Sequence, residues 1–254
     1  MDYLPLYKKF RSYSPLKIKR FLPFLLFFLL LTTSRLGFSE EADLAPANAQ
    51  TYTYNIYYKK ISIGKMIREL QLKNDQIKVN TIADLSFLLM KFGGNQSSDI
   101  YWDEKSQRYL SKGFSRKSVG FSTVSMSAKF SNDGHNTTIV NNGKTTHYSN
   151  PEEYLVDFNT ILLQISKGLK AGKTDFEFFM QTSDSVAHYF FKVTGKEMID
   201  SKFGKFESYR VEQVKKNDRT FIAWFAASLD HQMIKFRYKR NVLDIRGELS
   251  EYSR

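Results

Sequence analysis

From residue 52 onward, apolar and polar residues alternate with a period of two in run after run, the pattern of strands with one buried face. Tyr52, Tyr54, Ile56 and Tyr58 share one face of the first run, with Thr53, Asn55 and Tyr57 opposite. A turn through residues 59–64 leads to a second strand ending in Leu70 and Leu72. Beyond Asn74-Asp75, the residues Ile77, Val79, Thr81 and Ala83 resume the alternation. Residues 122–130 continue it with Val124, Met126, Ala128 and Phe130, and residues 186–193 with Ala187, Tyr189, Phe191 and Val193. Residues 220–226 set Ile222 and Trp224 against Phe221 and Phe225, and alternation alone does not choose which pair faces inward. Residues 232–238 and 242–249 complete the series.

Turn-forming residues separate these runs at Asn132-Asp133-Gly134, Asn141-Asn142-Gly143, residues 202–204 and Lys216-Asn217-Asp218. After Pro46 the only proline is Pro151, so no expected strand loses a backbone donor. The expected fold is mainly β: a curled antiparallel sheet or partly open barrel of about ten strands, since a sheet of that size closes or curls to hide its edges.

One segment changes period. Tyr154, Leu155, Phe158, Ile161, Leu162, Ile165 and Leu169 recur at three- and four-residue spacing. Asn150 as N-cap, Pro151 at the first turn and Glu153 as the capping-box partner predict a helix over residues 151–167 that stops at Gly168. Its apolar stripe calls for a concave sheet, so one amphipathic helix packed on the curled sheet satisfies both.

The N-terminus is of another kind. A basic stretch is followed by an apolar run from Phe21 to Leu31, which at 1.5 Å per residue covers only about half of a bilayer's hydrocarbon core. That pattern predicts a signal peptide over residues 1–39, with Gly37 and Ser39 as the small residues before the cut. A flexible lead over residues 40–50 and one β domain over residues 51–254 follow. An uncleaved anchor is the alternative, and either way the charge pattern directs the mature chain outward.

The formal charge of +12 changes meaning once this segment is removed. Without its seven basic residues and Asp2, 31 basic residues face 25 acidic ones, a net of +6 with no dense basic block, so no nucleic-acid partner is expected. Hydrophobic residues at 42% of the chain suffice for a core, and the absence of cysteine rules out disulfides, thiolate metal sites and a thiol nucleophile.

Catalytic signatures are sparse. His135, His147, His188 and His231 have no ligand spacing, so neither a metal nor another cofactor is expected. There is no G-x-S-x-G elbow, P-loop or dinucleotide fingerprint, and no catalytic residue is assigned. Asp99, Asp103 and Glu104 flank Trp102 in a manner compatible with a carbohydrate platform or with a solvated strand end. Residues 85–92 break the alternation and precede Gly93-Gly94. They read as a buried strand or short core helix, or as an apolar lip on a cavity formed by Leu85, Phe87, Leu88, Met90 and Phe92, with Trp102 nearby.

Several short motifs resemble a known family. Val193-Thr194-Gly195-Lys196-Glu197, Phe203-Gly204-Lys205-Phe206, residues 219–225 with Trp224-Phe225, residues 234–238 and Gly247-Glu248-Leu249 form one series. Together with Asp157-Phe158, residues 168–172, residues 52–58 and Ile63-Gly64, they resemble the exported bacterial family catalogued as domain of unknown function 3108. The strand at residues 52–58 and the segment at residues 99–110 also resemble the related domain of unknown function 6134. The resemblance implies a β protein of the cell envelope, in the periplasm of a Gram-negative-type bacterium, and carries over no catalytic residue.

The expected function is a non-catalytic binding or carrier module for an apolar or amphipathic envelope molecule such as a lipid. A structural or interaction protein with a filled core and a polysaccharide-acting enzyme are the alternatives. Export makes one direct prediction: N-terminal sequencing of the exported protein should begin at Glu40, whereas a mature chain still starting at Met1 would favour the anchor.

Overall fold

The computed structural model describes residues 49–253 apart from 74, 89 and 120–122. The expected signal peptide and most of the expected lead therefore lie outside the described residues. Eight strands run up and down from the middle of one sheet to its edge: β1 (Ala49–Tyr58), β2 (Ile61–Lys73), β3 (Gln76–Phe87), β4 (Met90–Asp103), β5 (Arg108–Val119), β6 (Val124–Phe130), β7 (Asn136–Asn141) and β8 (Lys144–Ser149). The chain then crosses to the opposite edge, where the two-residue strand β9 (Leu155–Val156) leads into helix α1 (Phe158–Lys170). From there β10 (Asp175–Gln181), β11 (Val186–Ser201), β12 (Gly204–Val214), β13 (Thr220–Ala226), β14 (Gln232–Arg240) and β15 (Leu243–Ser253) step back to the middle. There β15 pairs antiparallel with β1, and β9 with β10 makes the one parallel pair of the sheet.

This connectivity dictates the shape. Fifteen strands about 4.8 Å apart would span roughly 67 Å if flat. Yet β8 and β9 sit at opposite edges and are joined through residues 150–154, which can reach at most about 22 Å. The sheet must roll until its edges approach. Two contacts record the meeting: the Leu155 N–H donates to the Gly134 carbonyl at 2.8 Å, and Leu155 packs in one apolar cluster with Phe114, Phe130 and Ile139 of the other half.

Inside the roll the alternation holds. Tyr52, Tyr54 and Ile56 are fully buried, and Ile77, Val79, Thr81, Ala83 and Leu85 are the inward series of β3. On β13 the inward side is that of Phe221, which lines the interior. Trp224 instead donates its indole N–H to Glu197 at 3.1 Å beneath Lys235.

The sheet has fifteen strands, not about ten, because three of them carry little apolar signal. β8 has no buried residue, β9 is two residues long, and β4 turns Gln96 and Ser98 inward where apolar residues would be expected.

The helix also begins later than the capping pattern predicts. Asn150 does cap, but only a turn: its side-chain oxygen accepts from the Glu152 and Glu153 N–H groups at 3.3 and 3.2 Å. Leu155 is then drawn into the sheet, and the helix starts after Asp157, whose carboxylate accepts from the N–H groups of Asn159 and Thr160 at 2.7 and 3.4 Å. Gly168 does not end the helix. A Cβ there would lie 2.4 Å from the Phe176 ring, so glycine is needed for close packing on β10. The stop comes at Gly172, with φ +76°.

Helix α1 is enclosed on most of its circumference, with Ile161, Leu162, Leu163, Ile165 and Leu169 all buried. Ile165→Ala, at 1% exposure, should cost about 2–5 kcal/mol in denaturant unfolding. Gly168→Ala should cost about 1–3 kcal/mol by overpacking, despite alanine's higher helix propensity. A neutral outcome for both would mean that this helix face is not core.

Candidate binding cavity

Between α1 and the C-terminal half of the sheet the interior is not filled. A cavity of about 270 Å³ remains, near the lower end of the roughly 300–1,000 Å³ typical of small-molecule sites. Phe158, Ile161 and Leu162 form its helix side, and Tyr189, Phe191, Phe221 and Phe236 its sheet side. It opens beside the β10–β11 turn, where Asp184 and Ser185 are exposed, and beside Lys216.

One cross-strand row backs the cavity and places Arg68, Thr81 and Arg116 in its lining. Arg68 of β2 pairs in register with Thr81 of β3, Thr81 with Gln96 of β4, and Gln96 with Arg116 of β5. All four occupy the inward phase of their strands, between rows that carry apolar residues. Three of them join a network beneath the helix N-terminus. Arg116 donates to Gln96 Oε1 from Nε and Nη2 at 2.9 and 2.6 Å. Gln96 Nε2 donates to Asp157 Oδ1 at 3.3 Å and to Ser98 Oγ at 3.1 Å. Thr81 Oγ1 donates to Asn159 Oδ1 at 3.2 Å, and Asn159 Nδ2 to Ser98 at 3.0 Å.

Asp157 is the hub. It accepts from Ser98, Ser111 and Thr160 hydroxyls at 3.1, 3.0 and 3.0 Å, besides the helix N–H groups it caps. Burial pushes its carboxyl above the usual range, and these hydrogen bonds oppose that shift.

Arg68 stands apart. It is 2% exposed, it lines the cavity, and its Nε and Nη2 have no hydrogen-bond partner. Burial lowers its affinity for its proton, while the nearby tyrosines and Asp157 oppose that effect. Burial likewise brings Arg116 down to about 10, with Asp157 acting in the opposite direction. The network and the Arg68 beside it thus bring together two buried guanidiniums and one carboxylate. Leaving a buried charge without its partner costs on the order of 3–5 kcal/mol in measured cases. Gln213 Nε2 and Gln181 Oε1, both on the cavity wall, are further buried polar atoms without a hydrogen bond. At the mouth, Arg219 and Arg240 share Asp218 at 2.6 and 3.0 Å.

The residues picked out from sequence lie elsewhere. Leu85 and Phe92 face each other in register and are core residues at 1% and 2% exposure. Phe87 packs edge-on against Tyr58 at 5.1 Å between ring centroids, and Leu88 and Met90 are exposed at the hairpin between β3 and β4. Trp102 contacts Tyr109, with Lys167 over its ring at 4.6 Å. None of the six lines the cavity, because β3 and β4 meet there in a hairpin rather than a lip.

The acids near Trp102 do not converge. Asp103 accepts from the backbone and hydroxyl of Ser106, Glu104 accepts from Gln107, and Asp99 is exposed. His188 pairs with Glu177 at 2.6 Å between the rings of Phe179 and Phe190, and His135 bonds the carbonyls of Asn150 and Glu153. Among the described residues no three His, Asp or Glu side chains form a metal-sized group, and no helix is long and apolar enough to cross a membrane.

Sequence reasoning missed Arg68 and Arg116 because charged side chains on strands ordinarily mark the solvent face. The signal was present in Met66-x-Arg68-x-Leu70, which puts a charge on the apolar phase of β2.

Comparisons with known proteins bear on the fold. A solved structure described as a beta-barrel-like protein of domain of unknown function DUF1849, from Brucella abortus, is similar to this chain with a TM-score of 0.55. The identity is 11%, and the match covers 82% of this chain and 98% of that one, so the likeness is one of fold. Comparison with the curated proteins finds no match. A family model described as protein of unknown function (DUF3108) matches residues 53–250, from the middle of β1 into β15, and the chain belongs to that family.

Proposed function

We propose that this protein is an exported, non-catalytic binding or carrier module for an apolar or amphipathic molecule of the cell envelope, held between α1 and the rolled sheet. The observation that carries this reading is the open volume of about 270 Å³ in an interior whose other inward positions are well filled. A fold that needed only a core could close that space with larger side chains. Instead, Ala187 stands on its wall. Methionines 66, 180 and 233 also line it, and methionine adapts its shape to irregular guests.

The lining groups are guanidiniums, carboxamides, hydroxyls and apolar side chains, which can hold and orient a molecule. Export rests on the basic and apolar pattern of residues 1–39. A structural role with a filled core is the rival reading, and the open volume argues against it.

An environment-sensitive dye with a neutral apolar body should bind the folded protein and brighten, and extracted envelope lipid should displace it. Ala187→Trp, which fills the cavity from its wall, should abolish the brightening while circular dichroism stays that of a β protein. Leu88→Asp, at the exposed hairpin, should leave dye binding unchanged. No dye binding by the folded protein, or unchanged binding in Ala187→Trp, would end the carrier reading.

A further inference from the structure

Resting on that reading, we infer that the cavity is built for a single-chain amphiphile with an anionic head, a carboxylate or phosphate. Arg68 grips the head, and the chain lies along the aromatic wall. Arg68 is almost wholly enclosed, it lines the cavity, and its Nε and Nη2 donate to nothing. A guanidinium presents a planar fork of donors that matches a carboxylate or phosphate, and it stays charged at any physiological pH. An arginine serving the fold alone would be paired, as Arg237 is with Asp244 at 2.9 and 2.7 Å.

Charge balance points the same way. Arg68 and Arg116 lie in the row that crosses β2 to β5, and among the described residues Asp157 is the one buried carboxylate, so a bound monoanion would balance the charge of Arg68. Asp157 cannot turn to Arg68 without giving up the hydroxyls and helix N–H groups it already accepts from. Gln213 Nε2, from β12, supplies another buried donor without a partner in the cavity lining. At the mouth, Lys216, Arg219 and Arg240 stand against Asp184 and the Asp218 that the two arginines share, a small cationic excess that favours entry of an anion. The modest volume favours one chain over two.

The test uses the exported protein, freed of co-purified lipid, with the neutral dye bound. Four competitors are compared at neutral pH: a long-chain fatty acid, its methyl ester, a lysophosphatidate of similar chain length, and inorganic phosphate. The fatty acid and the lysophosphatidate should each displace dye at least tenfold more effectively than the ester, and inorganic phosphate should not displace it.

Arg68→Leu should remove that preference, keep dye binding and raise the denaturation midpoint of the empty protein, because an unpaired buried charge has gone. Arg68→Lys should keep part of the preference. Equal displacement by acid and ester, or an undiminished preference in Arg68→Leu, overturns the anionic head while leaving the cavity reading standing. The acid-to-ester comparison needs no variant, so it decides even if Arg68→Leu fails to fold. Displacement by inorganic phosphate as strong as by lysophosphatidate overturns the role of the chain. A dye that never binds removes the carrier reading itself.

Discussion

The carboxylate of Asp157 holds the two halves of this molecule in register. It lies where the chain has just crossed from one edge of the sheet to the other and begins the helix inside the roll. Its oxygens accept from Ser98 of β4, Ser111 of β5 and the first turn of α1. A side chain that belongs to the helix thus ties it to strands formed long before it in sequence. The geometry explains why so buried an acid is tolerated. Desolvation is opposed by neutral hydroxyl and amide donors and by the positive end of the helix dipole, rather than by one facing cation. Replacing that anchor with an apolar residue would leave several buried donors without acceptors at once, which costs more than the loss of any single bond.

The anchor fixes the helix by its N-terminus, and the open space borders the first turns of α1 beside it. Phe158, Ile161 and Leu162 cover one side of that space, while Ile165 and Leu169 lie deeper in the core. The cavity is therefore a consequence of how a single helix meets a roll made of fifteen strands, and not of a missing element. One helix of thirteen residues is about 20 Å long, too short to fill such a roll from end to end. What remains open lies between β10 to β14 and the polar row of β2 to β5, beside the network that pins the helix.

Much of the fold was legible as alternation, since in β1, β3 and β6 the apolar phase in the sequence is the buried phase in space. The helix was legible as a period but not as a start. Asn150-Pro151 and Glu153 satisfy the local grammar of a helix N-terminus, and Asp157 satisfies it equally well seven residues later. Only the pairing of Leu155 and Val156 with β10 decides between them, and that contact is invisible to any local rule. The polar wall was illegible for a related reason. Gln96, Ser98 and Arg116 face inward, so the inner phase of β4 and β5 looks like a solvent face when read along one strand. The apolar hairpin at residues 85–92 produced the opposite error, in which a dense run of large side chains drew attention to a place where two strands merely turn.

These two errors share one physical cause. Along a single strand, sequence records which residues are unlike their neighbours, while a binding wall is made across strands, where residues from four separate runs become neighbours. Arg68, Thr81, Gln96 and Arg116 are spread over nearly fifty positions and meet only through the registers of three strand pairs. Of the two arginines in that row, Arg68 is the one set between apolar residues of the same phase, Met66 and Leu70, and it is the member left without hydrogen bonds. A stability-driven core would have no use for a charge at that position, since leucine or methionine there would bury well and need no partner. The position is intelligible if the partner arrives from outside, and then the same residue that weakens the empty fold gives the loaded one its grip.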